Sequence, residues 1–136
     1  MDQGKTWKKN PSPLIQGESS QGIFSITIFD DNEVVAVGGD YLKPQQREGN
    51  LALFKIKEKI WDEILIPPFG YRSGVAFYIN YHWLISVGPS GSDFSSDGGK
   101  TWENFSTEGF HAVKASQKGE SIWASGAKGK IARLKY

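Results

Sequence analysis

Short runs of β-branched and aromatic residues recur along this chain in one fixed order, and almost nothing recurs at helical spacing. Phe24–Phe29 is the first run, Asp30-Asp31-Asn32 is the turn after it, and Val34–Val37 is the second run, stopped by Gly38-Gly39. A polar stretch follows, then Leu51–Ile56, a charged turn at Lys57-Glu58-Lys59, and Ile60–Leu65. Gly74–Ile79, Trp83–Gly88, Ser92–Ser95 and Thr101–Phe105 repeat that order. His111–Lys114, Ser121–Gly126 and Lys130–Leu134 start it again. Runs this short, bounded by Gly, Asp and Asn, predict antiparallel strands joined by tight turns. Val37-Gly38, Val87-Gly88 and Ser125-Gly126 each close a second strand, and Trp7, Trp61 and Trp102 each fall early in a fourth. Those tryptophans are 54 and 41 residues apart, the longer interval being explained by an insertion at 40–50.

Four short strands per unit of about forty residues is the period of propeller blades. The chain therefore reads as all-β: a partial β-propeller of about three four-stranded antiparallel blades. The blades fall at 22–66, 73–107 and, incomplete, 109–136, with an orphan fourth strand at 1–10. Ser95-Ser96-Asp97-Gly98-Gly99-Lys100-Thr101-Trp102 fits S-x-D-x-G-x-T-W at every position. It resembles the Asp-box, or BNR repeat, of sialidase-like and sortilin-like propellers. With Val-Gly closing the second strand, the chain looks most like the photosystem II assembly-factor type. The resemblance covers nearly the whole chain, and Asp2, Gly4, Thr6 and Trp7 fit the same motif from its Asp onward.

The chemistry of such a box is structural. The Asp97 carboxylate can accept backbone N–H groups and fix a tight turn. Gly98 and Gly99 allow backbone angles that a Cβ would forbid. Ser95 and Thr101 can satisfy the remaining polar groups, and Trp102 is expected to pack between neighbouring blades. Lys57–Trp61 keeps the Trp of the box and has lost its Asp and glycines. A turn tolerates that decay better than a catalytic motif would.

Sharper chemistries fare worse. Gly99-Lys100-Thr101 looks like the end of a phosphate-binding loop, but the glycine required five residues earlier is Phe94 and no helix follows. Asp93–Gly98 matches half of a helix-flanked calcium loop, whose twelfth position here is Asn104 instead of Glu. His82 and His111 stand alone, without a second ligand at metal spacing. The absence of cysteine removes disulfide scaffolds, thiolate zinc sites and thiol catalysis. A formal charge of +1 gives no net field for nucleic acid, and the apolar runs are too short to span a membrane as helices. Sialidase chemistry needs three arginines on a carboxylate, a Tyr nucleophile paired with Glu, and an Asp acid. Arg47, Arg72 and Arg133 are the only arginines, and no Arg-Ile-Pro segment is present. No catalytic residue, metal or cofactor is expected.

The residues expected to meet a partner lie in loops that share one end of such blades: Tyr41, Lys43 and Arg47, then Tyr71 and Arg72, then Phe110 and His111. Tyr and Arg combine apolar area with hydrogen-bonding tips, which suits protein recognition. The resemblance implies a non-enzymatic assembly scaffold with a protein partner. The alternative is the C-terminal part of a sialidase-like glycoside hydrolase whose catalytic residues lie in other blades. At 136 residues the length suits one domain, yet closed propellers take four to eight blades. The expectation is a fragment of a longer protein, able to self-associate through open blade edges. The resemblance implies an exported, bacterial parent; the residues themselves identify no compartment.

Overall fold

The computed structural model describes residues 3–135. Eleven strands make three antiparallel sheets in which sequence neighbours pair. Sheet one contains β1 (Gln21–Phe29), β2 (Glu33–Asp40), β3 (Leu51–Lys55) and β4 (Ile60–Trp61). Sheet two contains β5 (Gly74–Tyr78), β6 (Trp83–Gly88), β7 (Gly91–Ser95) and β8 (Glu103–Ser106). Sheet three contains β9 (Ala112–Ala115), β10 (Ile122–Ser125) and β11 (Ile131–Arg133), with β11 at its edge.

Strand alternation decides which side chains are buried. On sheet one Val35, Val37, Leu51 and Leu53 face sheet two, while Ile26, Ile28, Phe54 and Trp61 face the other way. Sheet two meets that first set with Val75, Leu84 and the indole of Trp102, and this is the principal core. On its opposite face Ala76 and Ile85 pack with Ile122 of sheet three. The opening strands β1, β5 and β9 run successively against one another, so the sheets are stacked with sheet two in the middle.

Two strand expectations are corrected. Residues 3–10, read as an orphan fourth strand, form a turn and then irregular chain, and they belong to none of the three sheets. A strand exists by pairing, and β4, the element beside this segment, is only two residues long. The strand read as Ile60–Leu65 ends at Trp61 because the chain leaves the sheet. The N–H groups of Leu65 and Ile66 both donate to the carbonyl of Lys100, and Ile66 forms a parallel bridge with Thr101. Among the described residues no helix is long and apolar enough to cross a membrane.

Candidate functional site

The turn between β7 and β8 is held by side chains. Ser95 Oγ accepts the N–H of Gly99 at 2.9 Å and donates to Asp97 Oδ1 at 2.8 Å. Asp97 Oδ1 also accepts the N–H of Thr101 at 2.9 Å, and Oδ2 accepts the Thr101 hydroxyl at 2.5 Å. Partial burial raises the Asp97 carboxyl pKa. The Thr101 hydroxyl, the N–H groups of Thr101 and Lys100 and the Ser95 hydroxyl outweigh that and hold it below the ordinary aspartate range. Gly99 is needed twice over: its φ is +95°, and a Cβ there would meet Leu53 Cδ2 at 2.8 Å. Trp102 is 1% exposed and donates its indole N–H to the carbonyl of Gly99 at 2.8 Å. The turn thus aims one indole into the core between sheets one and two. At the N-terminus, Asp2 lies outside the described residues, Gly4 (φ +82°) and Thr6 are exposed, and Trp7 is 88% exposed.

The loops chosen as partner-binding divide into two groups. Arg72 is corrected outright: it is fully buried, with Nε on Asp93 Oδ2 at 2.6 Å and Nη1 on the carbonyl of Tyr71 and on Ser90 Oγ, both at 3.0 Å. Asp93, equally buried, also accepts Asn104 Nδ2 at 2.9 Å, the N–H of Phe69 at 3.2 Å and Ser86 Oγ at 3.3 Å. Asp93 collects donors from β6, β8 and the incoming loop, so the pair fixes where the chain enters sheet two. Tyr71 and Phe110 are likewise buried, at 6% and 8% exposure, and neither can be a principal contact. The backbone N–H of Tyr71 donates to the carbonyl of Pro44 and that of Phe110 to the carbonyl of Gly88, while the Tyr71 ring lies against Phe24 and the Phe110 ring under the Lys130 ammonium. His111 is exposed, its N–H donating to Ser125 and its carbonyl accepting Ser73 Oγ at 2.7 Å.

Tyr41, Lys43 and Arg47 stay at the surface. Arg47 lies over the Phe69 ring at 3.9 Å and donates to the carbonyls of Pro67 and Pro68, pinning the long loop of sheet one to the linker before sheet two. Asn50 does the same from beneath, donating to the carbonyls of Pro68 and Gly70. Asp40 orders the start of that loop. Its carboxyl is held low first by Ser20, against some burial, then by the N–H of Leu42 and the Gln21 amide. Tyr41 therefore stands on a fixed base, edge-on to Phe24 at 6.1 Å, with the Tyr71 ring 5.0 Å from Phe24 below. Burial, with Tyr41 nearby, pushes the Tyr71 hydroxyl above its usual pKa. Phe24, Tyr41 and Leu42 are 42%, 49% and 72% exposed. Neither Phe24 nor Leu42 stands out in the sequence, since a strand Phe and a loop Leu carry no individual signal.

The opposite end of the sheets carries the Asp97 turn and the hairpin turns. There His82 Nε2 approaches Asp30 Oδ2 at 2.7 Å, joining the β5–β6 turn to the β1–β2 turn, with the imidazole against Phe29 and Phe77. Among the described residues no group of three His, Asp or Glu is arranged to hold a metal ion. Comparison with family models, with curated proteins and with solved structures finds no match to this chain.

Proposed function

We propose that this chain is a non-enzymatic protein-binding module built from consecutive blades of an Asp-box propeller, and that it recognises its partner through the Phe24–Tyr41–Leu42 surface. The observation that carries this is the pairing of an exposed aromatic patch with a buried, hydrogen-bonded base. Tyr71 lies buried beneath, Arg47 and Asn50 clamp the loop, and the Arg72–Asp93 pair sits behind it. A partner therefore meets rings already in place and loses little affinity to ordering the loop. The three arginines support binding over carboxylate-clamping hydrolysis: Arg72 is consumed by Asp93, Arg47 by Phe69 and two carbonyls, and Arg133 lies apart on β11.

The test is affinity capture with the tagged chain, comparing wild type with Tyr41→Ala, Leu42→Asp and a control, Lys59→Glu, at the other end of the sheets. Recovery of a saturable partner should fall at least about tenfold for the first two, as for a central aromatic anchor, and stay unchanged for the control. Equal recovery from all four proteins would reject this surface. Release of sugar from a fluorogenic sialoside would instead favour the glycoside-hydrolase reading.

A further inference from the structure

Trp102 shares one buried cluster, its socket, with six side chains: Val35, Val37, Leu51 and Leu53 of sheet one, and Val75 and Leu84 of its own sheet. Strand register carries each of these one sheet onward. Val37 opposite Leu51 corresponds to Val87 opposite Ser92, and Val35 opposite Leu53 to Ile85 opposite Phe94. Within the receiving sheet, Val75 and Leu84 correspond to Val113 and Ile122, because Gly74 pairs with Val87 as Ala112 pairs with Ser125. Those six residues, Ile85, Val87, Ser92, Phe94, Val113 and Ile122, all line two adjoining hollows of about 160 and 240 Å³ between sheets two and three. The hollows are a second copy of the Trp102 socket, beside β11, whose outer edge pairs with no strand among the described residues.

Within this sequence Gly99-Lys100-Thr101-Trp102 recurs once, as Gly4-Lys5-Thr6-Trp7. In this structure that segment lies away from the chain's own socket. Lys8, Asn10 and Pro11 border a hollow on the outer face of sheet one, with Phe54, Ile56 and Trp61, and sheet two stands between that face and the socket. We propose that the segment around Trp7 of one copy enters the cleft between sheets two and three of a second copy and adds a fourth strand along β11.

The same approach covers two apolar faces at once. Sheet one turns Ile26, Ile28 and Trp61 outward at 59%, 44% and 36% exposure, and sheet three turns out Trp123 and Ile131 at 45% and 70%. One indole buries only about 150–250 Å², well below the roughly 1,200 Å² of a stable interface. Added strand and sheet-on-sheet packing supply the rest. The joint is head to tail, using different surfaces on the two copies, so it propagates until a ring closes. Two copies give six such sheets, within the four to eight that close radially; this last step alone rests on the propeller reading above.

Sedimentation velocity on the full chain over a range of micromolar concentrations tests the joint. Wild type should associate, and Trp7→Ala, changing an exposed residue, should weaken association at least about thirtyfold, the loss typical of a buried interface tryptophan. Phe105→Asp, on the receiving cleft, should do the same. Mixing the two variants should restore a dimer, because one intact socket then meets one intact segment. An excess of a peptide spanning residues 2–11 should dissociate the wild type, whereas its Trp7→Ala form should not; this arm stands even where Phe105→Asp fails to fold. A Trp7-dependent dimer supports both joint and ring. Trp7-dependent open polymers support the joint and count against the ring. A wild type that stays monomeric throughout, or association unaffected by Trp7→Ala, overturns the proposal.

Discussion

Asp97 and Arg72–Asp93 show how differently a carboxylate behaves at the surface and in the interior. Asp97 is exposed yet accepts from Ser95, Lys100 and Thr101 of its own turn, so water can replace part of what a substitution removes. Asp97→Ala is expected to cost about 1–2 kcal/mol in denaturant unfolding at neutral pH, toward the lower end for unsatisfied groups. Its folded pKa lies below the ordinary value of 3.8. The folded state therefore binds fewer protons, and the stabilisation is complete above that value and disappears as pH falls through the lower folded one. The gap between wild type and variant should close in acid. Glu33 has the opposite sign. Burial, then the Asp62 charge, raises its carboxyl above 4.5, so Glu33→Gln should stabilise the protein at neutral pH and lose that advantage below the ordinary glutamate value. Arg72→Ala leaves a buried, unpaired Asp93 and is expected to cost about 3–5 kcal/mol, whereas Arg72→Met with Asp93→Leu should cost much less. Urea unfolding of the three proteins decides this, and an equally large loss in the double variant would mean that the pair's hydrogen bonds outweigh its desolvation.

Most elements could be read from the sequence because strand alternation and turn residues act locally. β6 begins at Trp83 and ends at Gly88, as the run between His82 and Pro89 predicts. The sequence overextends β4 because the cause of its ending is not local: Leu65 and Ile66 are recruited by a carbonyl some thirty-five residues away. The burial of Arg72 on Asp93 is hidden from the sequence for the same reason. A Tyr-Arg pair in a loop reads as surface, and nothing near it in the sequence points to Asp93, twenty-one residues on, as its partner. The available signal is Asp93 itself, an acid in the middle of a strand. Trp102 shows what the elements hold in common, since its indole touches both sheets of the core. Trp102→Ala should cost about 3–5 kcal/mol. Trp61→Ala, at the matching position on the open face of sheet one, should cost far less in the monomer, because Trp61 is 36% exposed and packs on the Phe54 ring at 4.9 Å. Paired thermal melts would show whether the difference lies in burial.

At the scale of the molecule the three sheets are unequally joined by backbone hydrogen bonds. Sheet two is tied to sheet one and its linker by backbone bonds at both ends, Leu65 and Ile66 to Lys100 and Trp102 to Ile66 at one, Arg72 to Gly38 and Tyr71 to Pro44 at the other. Sheet three is tied to sheet two by Phe110 to Gly88, Ser73 to His111 and a long contact of 3.4 Å from the Tyr78 hydroxyl to Glu120. Native-state hydrogen exchange should therefore rank β2, β3 and β6 slowest and β10 and β11 much faster, by at least about tenfold in protection. Uniform protection across the strands would mean that the stack opens only as a whole. The parallel bridge between Ile66 and Thr101 has a mechanical consequence. Tension applied across the two ends would strip sheet three first at low load. It would then reach a latch whose bonds must rupture together, so a single-molecule trace should show one weak event followed by one strong one.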